Sequence, residues 1–269
     1  RALSTGWLGL SLAEFILPVL IVFLLTFINW RDIWISISIL VIIVLPIATY
    51  FLVKEVKLDT REESNNEIIT KPIKQWKRIE VLKDYRFYIV CMTMLAMPWI
   101  ATGTFVYQSF ITTSKDWGPY VIAQSFMVYS ILSVVTLFIS GFLIDKFTSR
   151  KLLIYMNVPL FFSTVVLFYF DVEISSFFFF GLLGITNGLA NVLGSSTWAE
   201  IYGVKHIGSI KALTTALMVF ATAFGTALFG ILIDIKFSIE QIAIVSGVYI
   251  LTTIILLYLV RSKLNPQYI

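Results

Sequence analysis

The chain has 269 residues, of which 58% are hydrophobic, 16% aromatic and only 13% charged, and its mean hydropathy is +0.90. Soluble globular domains carry about a quarter charged residues, so this composition excludes a water-soluble globule and implies a polytopic membrane protein. Its one cysteine, Cys91, can form no internal disulfide, and a small buried residue is the expectation there.

Eight apolar runs follow one another, at residues 3–27, 33–53, 87–111, 120–144, 152–170, 174–199, 209–233 and 239–260. Each is long enough for the roughly 20 helical residues that cross a hydrocarbon core. None alternates apolar and polar residues, and an open sheet edge in lipid would leave backbone groups unsatisfied, so helices are predicted throughout. With successive connections assigned to opposite sides, one side holds 17 of the 20 Lys and Arg. The positive-inside rule makes that side cytoplasmic. The net charge of +4 therefore reports topology and anionic headgroups and gives no reason to invoke nucleic acid.

The first run begins at once, behind Arg1, and it resembles a later one. Arg1-Ala-Leu-Ser-Thr-Gly6 aligns with Lys211-Ala-Leu-Thr-Thr-Ala216 at an offset that also pairs Ala13 with Ala223 and Ile21 with Ile231. A weak repeat of this kind is expected of a transporter built from two parallel six-helix halves. On that reading the eight runs are helices five to twelve and the chain is a fragment.

Between the runs at 120–144 and 152–170 lies Gly141-Phe-Leu-Ile-Asp145-Lys146-Phe-Thr-Ser-Arg150-Lys151. A glycine, an acid and three bases in so short a connection resemble the loop signature of the major facilitator superfamily. Gly141, Asp145, Lys146 and Arg150 match it, Lys151 adds a base, and Thr148 and Ser149 stand where the family has Gly and Arg. The segment Trp198-Ala-Glu-Ile-Tyr-Gly203, followed by Gly208-Ser-Ile-Lys-Ala-Leu213, is similar to the family's connection between helices ten and eleven. The resemblance implies an all-α helical bundle: the last two helices of the first half in residues 1–53, a basic central loop in residues 54–86, and the complete second half in residues 87–269. It further implies that the loop signature lies against the start of the first helix, with Asp145 touching Arg1–Ser4.

Within the central loop, residues 59–67 are polar throughout and read as a linker. From Ile73 the apolar residues Trp76, Ile79, Leu82 and Tyr85 recur every three, with Lys74, Lys77, Arg78 and Lys83 between them. An interfacial helix on the cytoplasmic leaflet is predicted there.

Polar groups inside a membrane are costly, so each is a site candidate. Glu14, about a turn before Pro18, is the proton-coupling candidate, because desolvation raises a carboxyl pKa and hydration lowers it again. Asn187, Asn191 and Trp198 share one helical face and are substrate-cavity candidates, although Gly184-x-x-x-Gly188 beside them also suggests close helix packing. Tyr107 and Gln108, beyond Pro98 and Gly103, are candidates at the outer end of a kinked helix. No Arg or Lys occurs in residues 120–144, and no cationic anchor is expected in the spans. The sequence shows no metal-ligand cluster, nucleotide-binding loop or nucleophile with a base, so no catalytic residue, metal or cofactor is expected.

These features predict a secondary carrier in the inner or plasma membrane, not an enzyme. It moves a small-molecule substrate by alternating access, coupled to protons, among membrane lipids and as a monomer when full length. The alternatives are a non-transporting scaffold or receptor of the same fold and a passive facilitator.

Overall fold

The computed structural model describes the backbone of residues 2–54 and 74–267, with the side chains of residues 2–11, 14, 51–54 and 119 outside the description. Helices α1 (Ala2–Leu24) and α2 (Trp30–Lys54) precede a short α3 (Arg78–Lys83), and α4 (Tyr85–Val106) continues through Tyr107 into α5 (Gln108–Lys115). Then come α6 (Pro119–Phe147), the single turn α7 (Ser149–Leu152), α8 (Val158–Tyr169), α9 (Glu173–Tyr202), α10 (Ile207–Asp234) and α11 (Ile239–Val260). Seven of the described helical stretches are long and apolar enough to span a membrane, and α1 contributes a further apolar stretch at Phe15–Leu24. The protein is an all-α, multi-pass integral membrane protein.

Local chemistry sets the boundaries. Asp84 caps α4 by accepting from the Arg86 amide, and Ser238 and Gln241 form a reciprocal capping box at the start of α11, each answering donors that a helix start leaves open. The run expected at 87–111 is interrupted: Tyr107 has φ −101° and ψ 25°, so the helix breaks just beyond Gly103 and resumes as α5. At the end of α9, Gly203 has φ +82°, a left-handed conformation open to glycine.

Packing is most extensive where α9 crosses α6. A Cβ on Gly184 would stand 2.3 Å from the Tyr129 carbonyl oxygen, and one on Gly188 2.4 Å from that of Ser133, so both helices approach backbone to backbone. The other broad contacts pair α10 with α4, α1 with α6, and α8 with both α9 and α11. The meeting of α1 and α6 joins α1 to the later helices. Polar ties cross several of these seams: Ser125 and Ser176 pair their hydroxyls, and Asn157 donates from Nδ2 to the Thr93 carbonyl at 2.7 Å.

The interfacial helix expected after Ile73 is shorter and differently phased. Trp76 turns inward, 8% exposed, with its amide donating to the Tyr202 carbonyl at 3.1 Å, while the Lys74 amide donates to that of Gln267 at 2.8 Å. Those bonds hold residues 74–77 against the ends of α9 and the chain, so helix begins only at Arg78. Ile79, Leu82 and Tyr85 do remain exposed. The linker expected at 59–67 lies outside the described residues.

Candidate functional site

A cavity of about 400 Å³ opens between α4, α9 and α10. That is within the size range of small-molecule sites. Its α4 wall is apolar, with Met94, Met97, Pro98 and Phe105. Opposite, α9 contributes Asn187, Asn191 and Ser195, each four residues from the next and so on one face. From α10 come Lys211, Thr214, Thr215 and Thr222. Asn187 donates from Nδ2 to Ser133 Oγ at 2.9 Å, which ties α9 to α6 and fixes the amide. Lys211 donates from Nζ to Ser195 Oγ at 3.2 Å. The buried Trp198 closes the cavity floor, against Phe87 and Tyr202.

Beyond Trp198, outside the cavity lining, polar residues form a linked network. Arg86 and Asp84 make a buried ion pair at 2.8 Å; Tyr202 donates to Asp84 at 3.1 Å, and Arg86 Nη1 donates to the carbonyl oxygen of Lys263 at 2.9 Å. Arg150 pairs with Glu200, Nε to Oε1, at 2.8 Å and donates from Nη1 to Asn265 Oδ1 at 2.8 Å. Glu200 also accepts from the Ser149 hydroxyl and the Arg150 amide, so a carboxylate covers the open donors at the start of α7. These contacts gather the starts of α4 and α7, the end of α9 and the tail after α11. All lie at the end that the charge distribution assigns to the cytoplasm.

A family model described as Major Facilitator Superfamily matches residues 1–179 and again 88–268. The chain belongs to the Major Facilitator Superfamily. It is accordingly a membrane transporter of that superfamily, and the overlap of the two matches at 88–179 suits a chain containing a helical repeat. No curated protein and no solved structure matches it significantly.

The contact expected between the loop at 141–151 and the start of α1 lies outside the described residues. Asp145 is exposed and has no hydrogen bond or ion pair among the described residues; Arg1 and the side chains of Ala2–Ser4, its expected partners, lie outside them. At the start of α7 the carboxylate that accepts the open donors is Glu200, which also pairs with Arg150. Lys146 lies over the Phe147 ring, 5.3 Å from its centroid. Lys151 is exposed, and a Cβ on Gly141 would meet nothing within 4 Å among the described residues.

Of the cavity candidates, Asn187, Asn191 and Trp198 line it, whereas Tyr107 and Gln108 do not. Tyr107 stacks on Phe229 at the break between α4 and α5, and Gln108 is exposed beside it. The Glu14 side chain lies outside the described residues. The expectation that the spans hold no cationic anchor fails at Lys211. It lies within the run at 209–233, stands inside α10 and lines the cavity.

At the opposite end of α9 the Lys115 side chain is fully buried and bridges Asp171 at 2.6 Å and Glu240 at 2.8 Å. Burial disfavours its ammonium, but the two carboxylates more than offset that and hold its pKa above the usual 10.5. Trp117 Nε1 donates to the Asp171 carbonyl at 2.8 Å, so α5, the α8–α9 turn and the start of α11 are fastened together. A lysine among aromatic residues gives this away in sequence only when its two distant acids are known to be neighbours.

Proposed function

We propose that the protein is a secondary active carrier that binds a small solute in the α4–α9–α10 cavity and moves it by alternating access. The cavity carries this reading: it combines an apolar wall with convergent amides, hydroxyls and one ammonium, the pattern of a small-molecule site. Polar groups at membrane depth line pathways because they are otherwise costly. The network of Asp84, Arg86, Arg150 and Glu200 supports the same reading, since a set of paired charges at one end of the bundle can hold that end in one arrangement and release it in another. Coupling to protons belongs to the proposal, with Glu14 as the group that binds and releases them. Its setting is the inner or plasma membrane.

The test is uptake by proteoliposomes of the whole protein, against a panel of neutral, anionic and cationic solutes, with and without an imposed pH gradient. Accumulation of one solute driven by the gradient, and lost in Glu14→Gln while exchange persists, is the expected result. Equilibration without accumulation would replace the coupled carrier by a passive facilitator. Failure of every solute to move would favour a scaffold or receptor.

A further inference from the structure

Among the described residues lining the cavity, Lys211 is the only charged one, and no Asp or Glu accompanies it. We propose that the cavity takes a small organic anion with an apolar body, its acid group held by Lys211. The proposal rests on the transport reading above and names its substrate class.

An ammonium has three donors. Within the described residues Lys211 spends one, on a neutral hydroxyl at 3.2 Å, and no carboxylate neutralises the charge. A cation beside apolar walls without a counter-ion favours whichever solute supplies one; a neutral solute leaves it unmatched, and a cationic solute is repelled. The neighbouring groups suit the same guest. Asn191 makes no hydrogen bond among the described residues, and the hydroxyl of Thr215 lies one turn beyond Lys211. Both are free to donate to acid oxygens. Farther from Lys211 the lining turns to Met94, Met97 and Phe105, flexible and polarizable surface suited to an apolar body. The sequence repeat adds an independent observation: it pairs Lys211 with Arg1, so both repeats carry a base at this register.

Benzoate, benzamide and benzylamine share one ring and differ in charge, which makes them the probes. With the whole protein in detergent, benzoate should raise the thermal unfolding temperature, and in proteoliposomes it should be taken up, while the other two do neither. Lys211→Gln should weaken benzoate binding about 10- to 100-fold, and Lys211→Arg should keep it within a few-fold. Independently, Thr215→Asp should abolish it, because a carboxylate one turn on pairs with Lys211; unfolding of the ligand-free variants checks their fold. Equal effects of benzamide and benzoate, or benzoate binding unchanged in both Lys211→Gln and Thr215→Asp, would overturn the proposal. If neutral or cationic solutes are transported and carboxylates are not, the carrier reading stands and the anion assignment falls. If nothing in the panel moves, the carrier reading itself fails.

Discussion

Helices α2 and α9 are both apolar enough to span a membrane, yet 44% of the membrane window of α9 is buried against other parts of the chain and only 6% of that of α2. The polar side chains differ in the same way. In α2, Ser36, Ser38 and Thr49 donate to carbonyls four residues back in their own helix. In α9, Asn187 reaches Ser133 of α6, and Glu200 reaches Ser149 and Arg150. Hydropathy records that a segment leaves water, and lipid is as apolar as leucine, so it does not record which helix a segment meets. Small residues and cross-helix polar ties do, and α9 has Gly184 and Gly188 over the α6 backbone where α2 has no glycine at all.

If that contrast is right, the largest losses come from cutting the ties of the later six helices. Arg86→Ala leaves Asp84 buried without its partner, and removing one member of a buried pair costs about 3–5 kcal/mol. The double change Asp84→Asn with Arg86→Met removes both charges and should unfold at a higher temperature than Arg86→Ala. Thermal unfolding in detergent measures both. A double variant less stable than the single one would show that the pair itself, and not the avoided lone charge, stabilises this end.

Gly184→Ala places a methyl group where the Tyr129 carbonyl stands, so α6 and α9 must separate. Overpacking of this kind costs roughly 1–3 kcal/mol. Ile42 of α2 is 71% exposed, and Ile42→Ala should change stability by less than about 0.5 kcal/mol. Equal losses in the two variants would abolish the distinction between the helices.

At the far end, Lys115→Met leaves Asp171 and Glu240 without their shared cation. Local opening of α5 should become easier by about 1–3 kcal/mol, read as faster amide exchange at residues 108–115. The sign of the pH dependence follows from the raised pKa. The contribution of a group whose folded pKa is raised is fully present below its unfolded value, here near 10.5, and fades as pH climbs through the folded value. Protection of α5 that falls between pH 7 and 9 would contradict the described pairing.

Much of this architecture is legible in the sequence, and the limits follow from the same physics. The run at 239–260 coincides with α11 residue for residue, because Ser238 and Gln241 make a cap that sequence displays directly. Lys211 lies inside both the run at 209–233 and the helix that holds it, yet hydropathy does not tell which neighbours a lone base meets, so its place in the cavity wall is not legible in the sequence. The break expected at Pro98 and Gly103 falls instead at Tyr107, and Tyr107 and Gln108 stand outside the cavity lining, since periodicity gives a face and not its neighbour. Glu200 goes unnoticed because its partner Arg150 is fifty residues away, and only the crossing of α9 over α7 joins them.

The one substitution expected to raise stability above that of the unaltered protein concerns Thr148, where the family's loop signature has glycine. Its φ is +73° and ψ 144°, close to a region that only glycine enters freely. A β-branched side chain there is strained, and the Thr148 hydroxyl is buried without a hydrogen-bond partner among the described residues. The two features have one origin, since the turn must deliver Ser149 and Arg150 to Glu200 while ending α6 at Phe147. Thr148→Gly removes strain of about 1–3 kcal/mol and adds roughly 0.5–1 kcal/mol of backbone freedom to the unfolded chain. Net stabilisation of about 1 kcal/mol should raise the unfolding temperature by about 2–4 °C. A lower unfolding temperature would mean that the threonine is held there by a contact stronger than its strain, and the turn, rather than the ion pair it carries, would then set the strength of this end.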